Sequence, residues 1–147
     1  MSDAVSLQVV LLREGARLPV RQSEHASGFD LHACLPEPTV EVGTMPVLVP
    51  TGIAIAAPPG VDVQIRPRSG LSARGVMGTF GTIDADYRGE LFVTLYCLPD
   101  LGRYLLRDGE RIAQLVVGRL AEARWELVTE LDPTARGSAG HGSTGAA

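Results

Sequence analysis

Three acids crowd the entrance to one apolar run: Asp84, Asp86 and Glu90 all lie between Ile83 and Glu90, directly before Leu91 to Cys97. That is more charge than a strand entrance normally carries. A carboxylate fixed at such a point can serve as a general base toward water, its proton affinity set by burial and neighbours, although a solvated turn would hold the same residues without any chemistry. Tyr87, inside this group, offers an aromatic face to a sugar or base, or to ordinary packing. Arg66-Pro67-Arg68-Ser69-Gly70-Leu71 follows an apolar run and leads into a possible helical turn. The guanidinium of Arg68, the hydroxyl of Ser69 and the backbone exposed at Gly70 together suit an anion, so this loop is a candidate phosphate seat. Gln114 interrupts Ile112 to Val117, and an amide in a run that reads as buried must find hydrogen-bonding partners, whether a backbone group, a water or a ligand phosphate. His25, Asp30 and His32 stand close in sequence, but they lack a fourth ligand for a closed zinc site.

The elements that must position these groups read as strands. Short β-branched runs recur at Val5 to Leu12, Val47 to Ala57, Val61 to Ile65, Leu91 to Cys97, Arg111 to Val117 and Trp125 to Val128, with turn residues between them. Pro58-Pro59-Gly60 and Arg107-Asp108-Gly109-Glu110 predict chain reversals with antiparallel pairing of the flanking runs. No window carries a sustained apolar stripe at helical spacing, and Ser69 to Arg74 has room for a single helical turn. The expectation is one all-β domain closed as a sandwich, a barrel or a jelly roll. From about Asp132 the texture changes to a glycine-rich tail, Arg136-Gly-Ser-Ala-Gly-His-Gly-Ser-Thr-Gly145, too poor in apolar residues to join a core.

Composition narrows the partners. The 147 residues are 45% hydrophobic and 20% charged with a formal net charge of -4, which suits a soluble globular domain and not a nucleic-acid surface. All thirteen basic residues are Arg, and neither Lys nor Asn occurs. Met1-Ser-Asp-Ala4 lacks the features of a secretory leader and no run approaches the ~20 apolar residues of a membrane helix, so a cytoplasmic protein without membrane contact is expected. Cys34 and Cys97 sit in strand-like apolar surroundings without CxxC spacing and read as small buried hydrophobes.

Taken in order, five segments resemble the motifs of the trimeric dUTPase family: Ala26-Ser-Gly-Phe-Asp-Leu-His-Ala33, Arg66-Pro-Arg-Ser-Gly-Leu71, Gly81-Thr-Ile-Asp-Ala-Asp-Tyr-Arg-Gly-Glu-Leu91, Gly109-Glu-Arg-Ile-Ala-Gln-Leu-Val116 and the tail from Arg136 to Gly145. The resemblance implies a jelly-roll-like domain (a distorted β-barrel or sandwich) over residues 1–131 and a C-terminal arm, 132–147, that closes the active site. It implies a homotrimer with active sites shared between subunits. The activity implied is hydrolysis of dUTP to dUMP and pyrophosphate, which limits uracil in DNA and supplies dUMP for dTMP synthesis.

Carried over position by position, Asp84 would orient and deprotonate the attacking water. Arg68, Ser69 and Gly70 would hold the phosphate chain, and Gln114 the α-phosphate region. Arg136 with Gly142, Ser143 and Thr144 of the arm would bind the β- and γ-phosphates. Mg²⁺ would bridge phosphate oxygens, with Asp30 in its outer shell through a water. Tyr87 would pack under the deoxyribose and exclude a 2′-hydroxyl, the backbone of Gly81, Thr82 and Ile83 would read the uracil edge, and Phe92 would add to that pocket.

Two departures from the family pattern stand out. Val76 to Phe80 is a short approach to the third motif and lacks the Asn often found before the catalytic Asp. In the arm, His141 takes the place of a stacking aromatic residue, commonly Phe, and Ala139 that of a usual Gly. The rival within the same fold is a dCTP deaminase, alone or combined with dUTPase activity, which places a Glu where Thr94 stands; a rival of another class is a non-catalytic nucleotide-binding jelly-roll module.

Overall fold

The computed structural model describes residues 4–146, so Met1 to Asp3, read above for a leader, lie outside the described residues. Its ten strands are β1 (Gln8–Leu11), β2 (Gly28–His32), β3 (Thr39–Val42), β4 (Val47–Ala56), β5 (Val61–Arg66), β6 (Val76–Gly78), β7 (Gly81–Ile83), β8 (Glu90–Cys97), β9 (Tyr104–Arg107) and β10 (Arg111–Arg119). One short helix, α1 (Ser69–Ala73), follows β5, where a single helical turn is expected.

Two four-stranded sheets, ordered β1-β4-β8-β6 and β2-β10-β5-β7, face each other, and β3 pairs with β9 in a third, two-stranded sheet. The strand pairings among the described residues are antiparallel. The core forms by alternation. Leu91, Val93, Leu95 and Cys97 of β8 turn inward while Phe92, Thr94 and Tyr96 turn outward, and Val61, Val63 and Ile65 do the same on β5. Leu31, Val42, Val49, Ile53, Leu106, Ile112 and Leu115 complete the layer between the sheets. Both cysteines are free and buried, as their apolar context predicts. The molecule is thus all-β and jelly-roll-like.

Both reversals form, but neither makes the expected hairpin. Pro58-Pro59-Gly60 joins β4 to β5, which belong to different sheets, and Arg107 to Glu110 joins β9 to β10, again across sheets. Turn chemistry is local, whereas the choice of neighbour depends on how inward faces stack across the sandwich. Trp125 to Val128 is not a strand. Residues 120–146 carry no helix or strand, and Trp125 and Leu127 are fully exposed at 102% and 100%. A β-prone run forms a strand only against a partner edge, and this one meets none among the described residues.

Candidate active site

The second sheet carries the expected site residues at its two edges. On one side, β2 delivers Asp30 beside Gln114 of β10, and Gln114 pairs in turn with Arg66 at the end of β5. Just beyond Arg66, the loop turns Arg68 back toward Asp30. Arg68 Nε lies 3.4 Å from Asp30 Oδ1, Arg111 Nη1 lies 3.4 Å from Asp30 Oδ2, and Arg68 Nη1 donates to the Arg111 carbonyl at 3.2 Å. A buried carboxylate between two guanidiniums fixes both without cancelling their joint positive charge. Asp30, Arg68, Ser69, Gly70 and Gln114 line one depression of about 250 Å³ together with Gln22, Ala26, Ser27 and Gly28.

Of the partners open to Gln114, a backbone group is the one it meets: its Nε2 donates to the Pro67 carbonyl at 3.1 Å, bracing the loop that carries Arg68 and Ser69. Gly28 makes room for it, since a Cβ there would stand 2.1 Å from Gln114 Oε1 and 3.0 Å from its Cβ. Gly28→Ala is therefore expected to swing the amide away from Pro67 and lower kcat/KM by about 10-fold with little loss of melting temperature, as a misplaced positioning group does. Steady-state rates beside thermal melts check this.

His32 shares the Asp30 face, and its Nδ1 is buried without a hydrogen-bond partner. Burial, then the nearby Arg17, push its pKa below the usual imidazole value, with Arg111 and Arg68 adding to the effect against Asp30. The ring thus stays neutral near pH 7 beside the guanidiniums. Among the described residues no group of three or more His, Cys, Asp or Glu side chains could hold a metal ion.

At the opposite edge, β7 pairs with β5 alone among the described residues, so its outer backbone groups face away from the sheet, where they could meet a ligand edge. Gly81 aligns with Ile65, Thr82 with Gln64 and Ile83 with Val63. Asp84 leaves the strand there and starts a tight turn in which the Tyr87 amide donates to its carbonyl at 3.0 Å. Arg88 braces that turn by donating to the carbonyls of Ala85 and Tyr87 at 2.7 and 2.9 Å. Thr82, Ile83, Asp84, Tyr87 and Phe92 line a depression of about 220 Å³ with Glu90 and Leu91. Thr94 lies outside its lining.

Glu90, one of the three crowded acids, is tied down. Its Oε1 accepts from Arg13 Nη2 at 2.5 Å and from the Gly52 amide at 2.8 Å. The Arg13 hydrogen bond holds its pKa below the usual carboxylate range, against burial and with help from Gly52. Because the folded value is lower than the unfolded one, this contribution to stability is complete above the ordinary Glu range and is lost as pH falls through the folded value. Glu90→Gln is thus expected to lose less melting temperature than the parent as pH falls from the ordinary Glu range of about 4.3 to about 2.5, a comparison thermal melts make directly.

The two depressions share no residue. Asp84 departs toward the Asp62 row, at the opposite end of β5 from Arg66, and the four-residue offset between those rows spans about 13 Å at ~3.3 Å per strand residue. The arm residues are not brought to either place. Arg136 Nε donates to the Ala139 carbonyl at 2.8 Å, His141 takes a positive φ of 51°, and Gly142, Ser143 and Thr144 lie in an exposed stretch without regular structure.

A family model described as dUTPase matches residues 14–145. The chain belongs to the dUTPase family. A dUTPase relative, the deoxyuridine 5'-triphosphate nucleotidohydrolase of Desulfotalea psychrophila, is 48% identical over 138 residues, covering 90% of this chain and 89% of the relative. Its counterpart in Leptospira interrogans is 46% identical over 139 residues, covering 91% and 94%. Among solved dUTPase structures, a variant of the Staphylococcus bacteriophage 80alpha enzyme with dUpNHpp superposes with a TM-score of 0.82 at 28% identity, covering 96% of this chain and 99% of that one. A variant of the dUTPase from S. aureus phage phi11, described with a coordinated structural Mg(II) ion, gives 0.75 at 25% identity over 85% and 97%.

Sequence reasoning assigned no role to four residues that touch the candidate site residues: Gly28, beside Gln114, Arg111, beside Asp30, and Arg13 and Gly52, which hold Glu90. Gly28, aligned with Val116, faces the Gln114 side chain, and Arg111, aligned with His32, reaches Asp30; both contacts follow only from the register of β2 with β10. Arg13 and Gly52 meet Glu90 from 77 and 38 positions away, and no local pattern marks them.

Proposed function

We propose that this chain hydrolyses dUTP to dUMP and pyrophosphate, with Asp84 as general base, in a homotrimer whose active sites are each built from more than one subunit. The observation that carries the reading is the division of the site: a basic phosphate seat around Arg68, Ser69 and Gln114 stands apart from a carboxylate and aromatic ring on the Asp84–Tyr87 turn. One α-phosphorus must reach both, so the seat of one chain is completed by the turn of another. The exposed apolar side chains of Trp125, Leu127 and Leu131 ahead of the arm support an arm that packs on a neighbouring subunit.

In this reading the uracil lies against the edge strand Gly81–Ile83 and Phe92, and the deoxyribose rests on Tyr87. Unmatched donors and acceptors at the base edge penalise cytosine. Asp84 takes a proton from water as its oxygen bonds to the α-phosphorus, and the bond to the bridging oxygen breaks to release pyrophosphate. Arg68, Ser69 and Gly70 hold the phosphates, Gln114 braces their loop, and the arm (132–147) adds Arg136, Gly142, Ser143 and Thr144 as it closes. His141 stacks over the base.

The donor set suits Mg²⁺ carried by the substrate: Asp30 keeps lone pairs for a metal-bound water beyond its two guanidinium contacts, and no protein cage is needed. Mg²⁺ bound to the triphosphate would neutralise charge developing on the phosphate oxygens. No helix among the described residues is long and apolar enough to cross a membrane, and we place the enzyme in the cytoplasm.

The deaminase reading requires a carboxylate in the place of Thr94, and the nearest acid on that strand, Glu90, is already engaged by Arg13 and Gly52. Product analysis on dUTP, dCTP, dTTP and UTP with Mg²⁺ tests the proposal. Conversion of dUTP alone to monophosphate and pyrophosphate is expected. Ammonia from dCTP, or turnover of none of the four, overturns it.

A further inference from the structure

Beyond its link to β7, the loop carrying Asp84 and Tyr87 is tied to β8 by a Tyr87 side-chain hydrogen bond. Tyr87 Oη donates to the Glu90 carbonyl at 2.8 Å, so the ring folds back over Gly89, where a Cβ would stand 2.4 Å from that hydroxyl oxygen. Tyr87 and Asp84 are linked in turn through the hydrogen bond that closes their turn. Glu90 is therefore one anchor of both.

Glu90 is held from two directions that meet at Gly52. Strand β4 bulges against β8 between Pro50 and Ala54, and there Gly52 adopts a φ of +71° with its amide aimed at the Glu90 carboxylate. A side chain is excluded at Gly52, because a Cβ would stand 2.8 Å from that of Ala16 and 3.0 Å from Cys34 Sγ. The Gly52 carbonyl accepts from the Leu12 amide at 2.8 Å, which brings the next residue, Arg13, onto the same carboxylate. Arg13 also donates to the Cys34 carbonyl at 3.4 Å. A connected line thus runs from the N-terminal segment through Arg13, Glu90 and Tyr87 to the pocket beside Asp84.

We propose that Arg13 and Glu90 are a positioning pair that fixes the Tyr87 ring, and through it sets how strongly the site discriminates deoxyribose from ribose. The proposal rests on dUTP hydrolysis with the sugar on Tyr87. A ring locked at both its backbone and its hydroxyl cannot retreat to admit a 2′-hydroxyl, whereas a ring freed at one end can. Loosening the pair should admit UTP more than it harms dUTP.

The test compares kcat/KM for dUTP and UTP in the parent, Arg13→Ala, Arg13→Lys and Tyr87→Phe, with thermal melts alongside. Arg13→Ala and Tyr87→Phe should each lower the dUTP to UTP ratio by about 10-fold, mainly through KM, and Arg13→Lys should recover most of it by keeping the charge on Glu90. Arg124→Ala, which removes an exposed ion pair with Glu122, should leave the ratio unchanged. A ratio unchanged in Tyr87→Phe, or in a folded Arg13→Ala, overturns the proposal, as does an Arg13→Lys no better than Arg13→Ala. Should Arg13→Ala not fold, Tyr87→Phe and Arg13→Lys decide. A parent inactive on dUTP marks the failure of the underlying function instead.

Discussion

Replacing Asp84 with Asn is expected to lower turnover of dUTP by about 10³-fold or more while leaving nucleotide affinity near that of the parent, since removal of a general base costs ~10²–10⁴. The amide keeps the shape of the carboxylate but cannot accept the water's proton. The Asp84–Tyr87 turn is closed through the backbone carbonyl of residue 84 and not its side chain, so the substitution leaves the loop and the sugar platform in place. Single-turnover rates and equilibrium binding of dUTP separate the two effects. A variant that turns over at the parent rate removes Asp84 from the chemistry; a variant that neither binds nor turns over points to a structural role.

Removal of residues 132–147 should also cut turnover, by about 10²-fold or more, because charge-assisted contacts to the leaving pyrophosphate are lost and water enters the site. The fold should survive: among the described residues the arm is almost wholly exposed and contributes no strand to any sheet. Thermal melts of the truncated chain should match the parent, while kcat/KM falls. Mixing truncated chains with Asp84→Asn chains, under conditions that let subunits exchange, should restore part of the lost rate. In the proposed trimer, the arm of an Asp84→Asn chain would close over the intact Asp84 of a truncated one. No recovery on mixing would confine each site to a single chain.

What the sequence made legible was local. The alternation of Leu91, Val93, Leu95 and Cys97 announces a half-buried strand, and the Ser69 turn announces its short helix. The partners of the strands were not legible, because Pro58 to Gly60 dictates a reversal and not which sheet receives the next strand. The short strands β3 and β9 went unread for the same reason: they gain definition only by pairing with each other across 60 or so positions of chain. At the site, Asp84 could be separated from Asp86 and Glu90 only through its likeness to a known motif. The fold supplies a physical ground for that separation, since Glu90 lines the same pocket but is held by Arg13 and Gly52, and Asp86 lies outside its lining. Arg13 carried no local signal, as its meaning depends on a contact made 77 residues away.

Hydrolysis of dUTP in H₂¹⁸O with Mg²⁺, followed by mass analysis of both products, tests the central claim most directly. Water activated by Asp84 for attack on the α-phosphorus predicts one ¹⁸O in dUMP and none in pyrophosphate. Label in the pyrophosphate, or release of orthophosphate in its place, would contradict it.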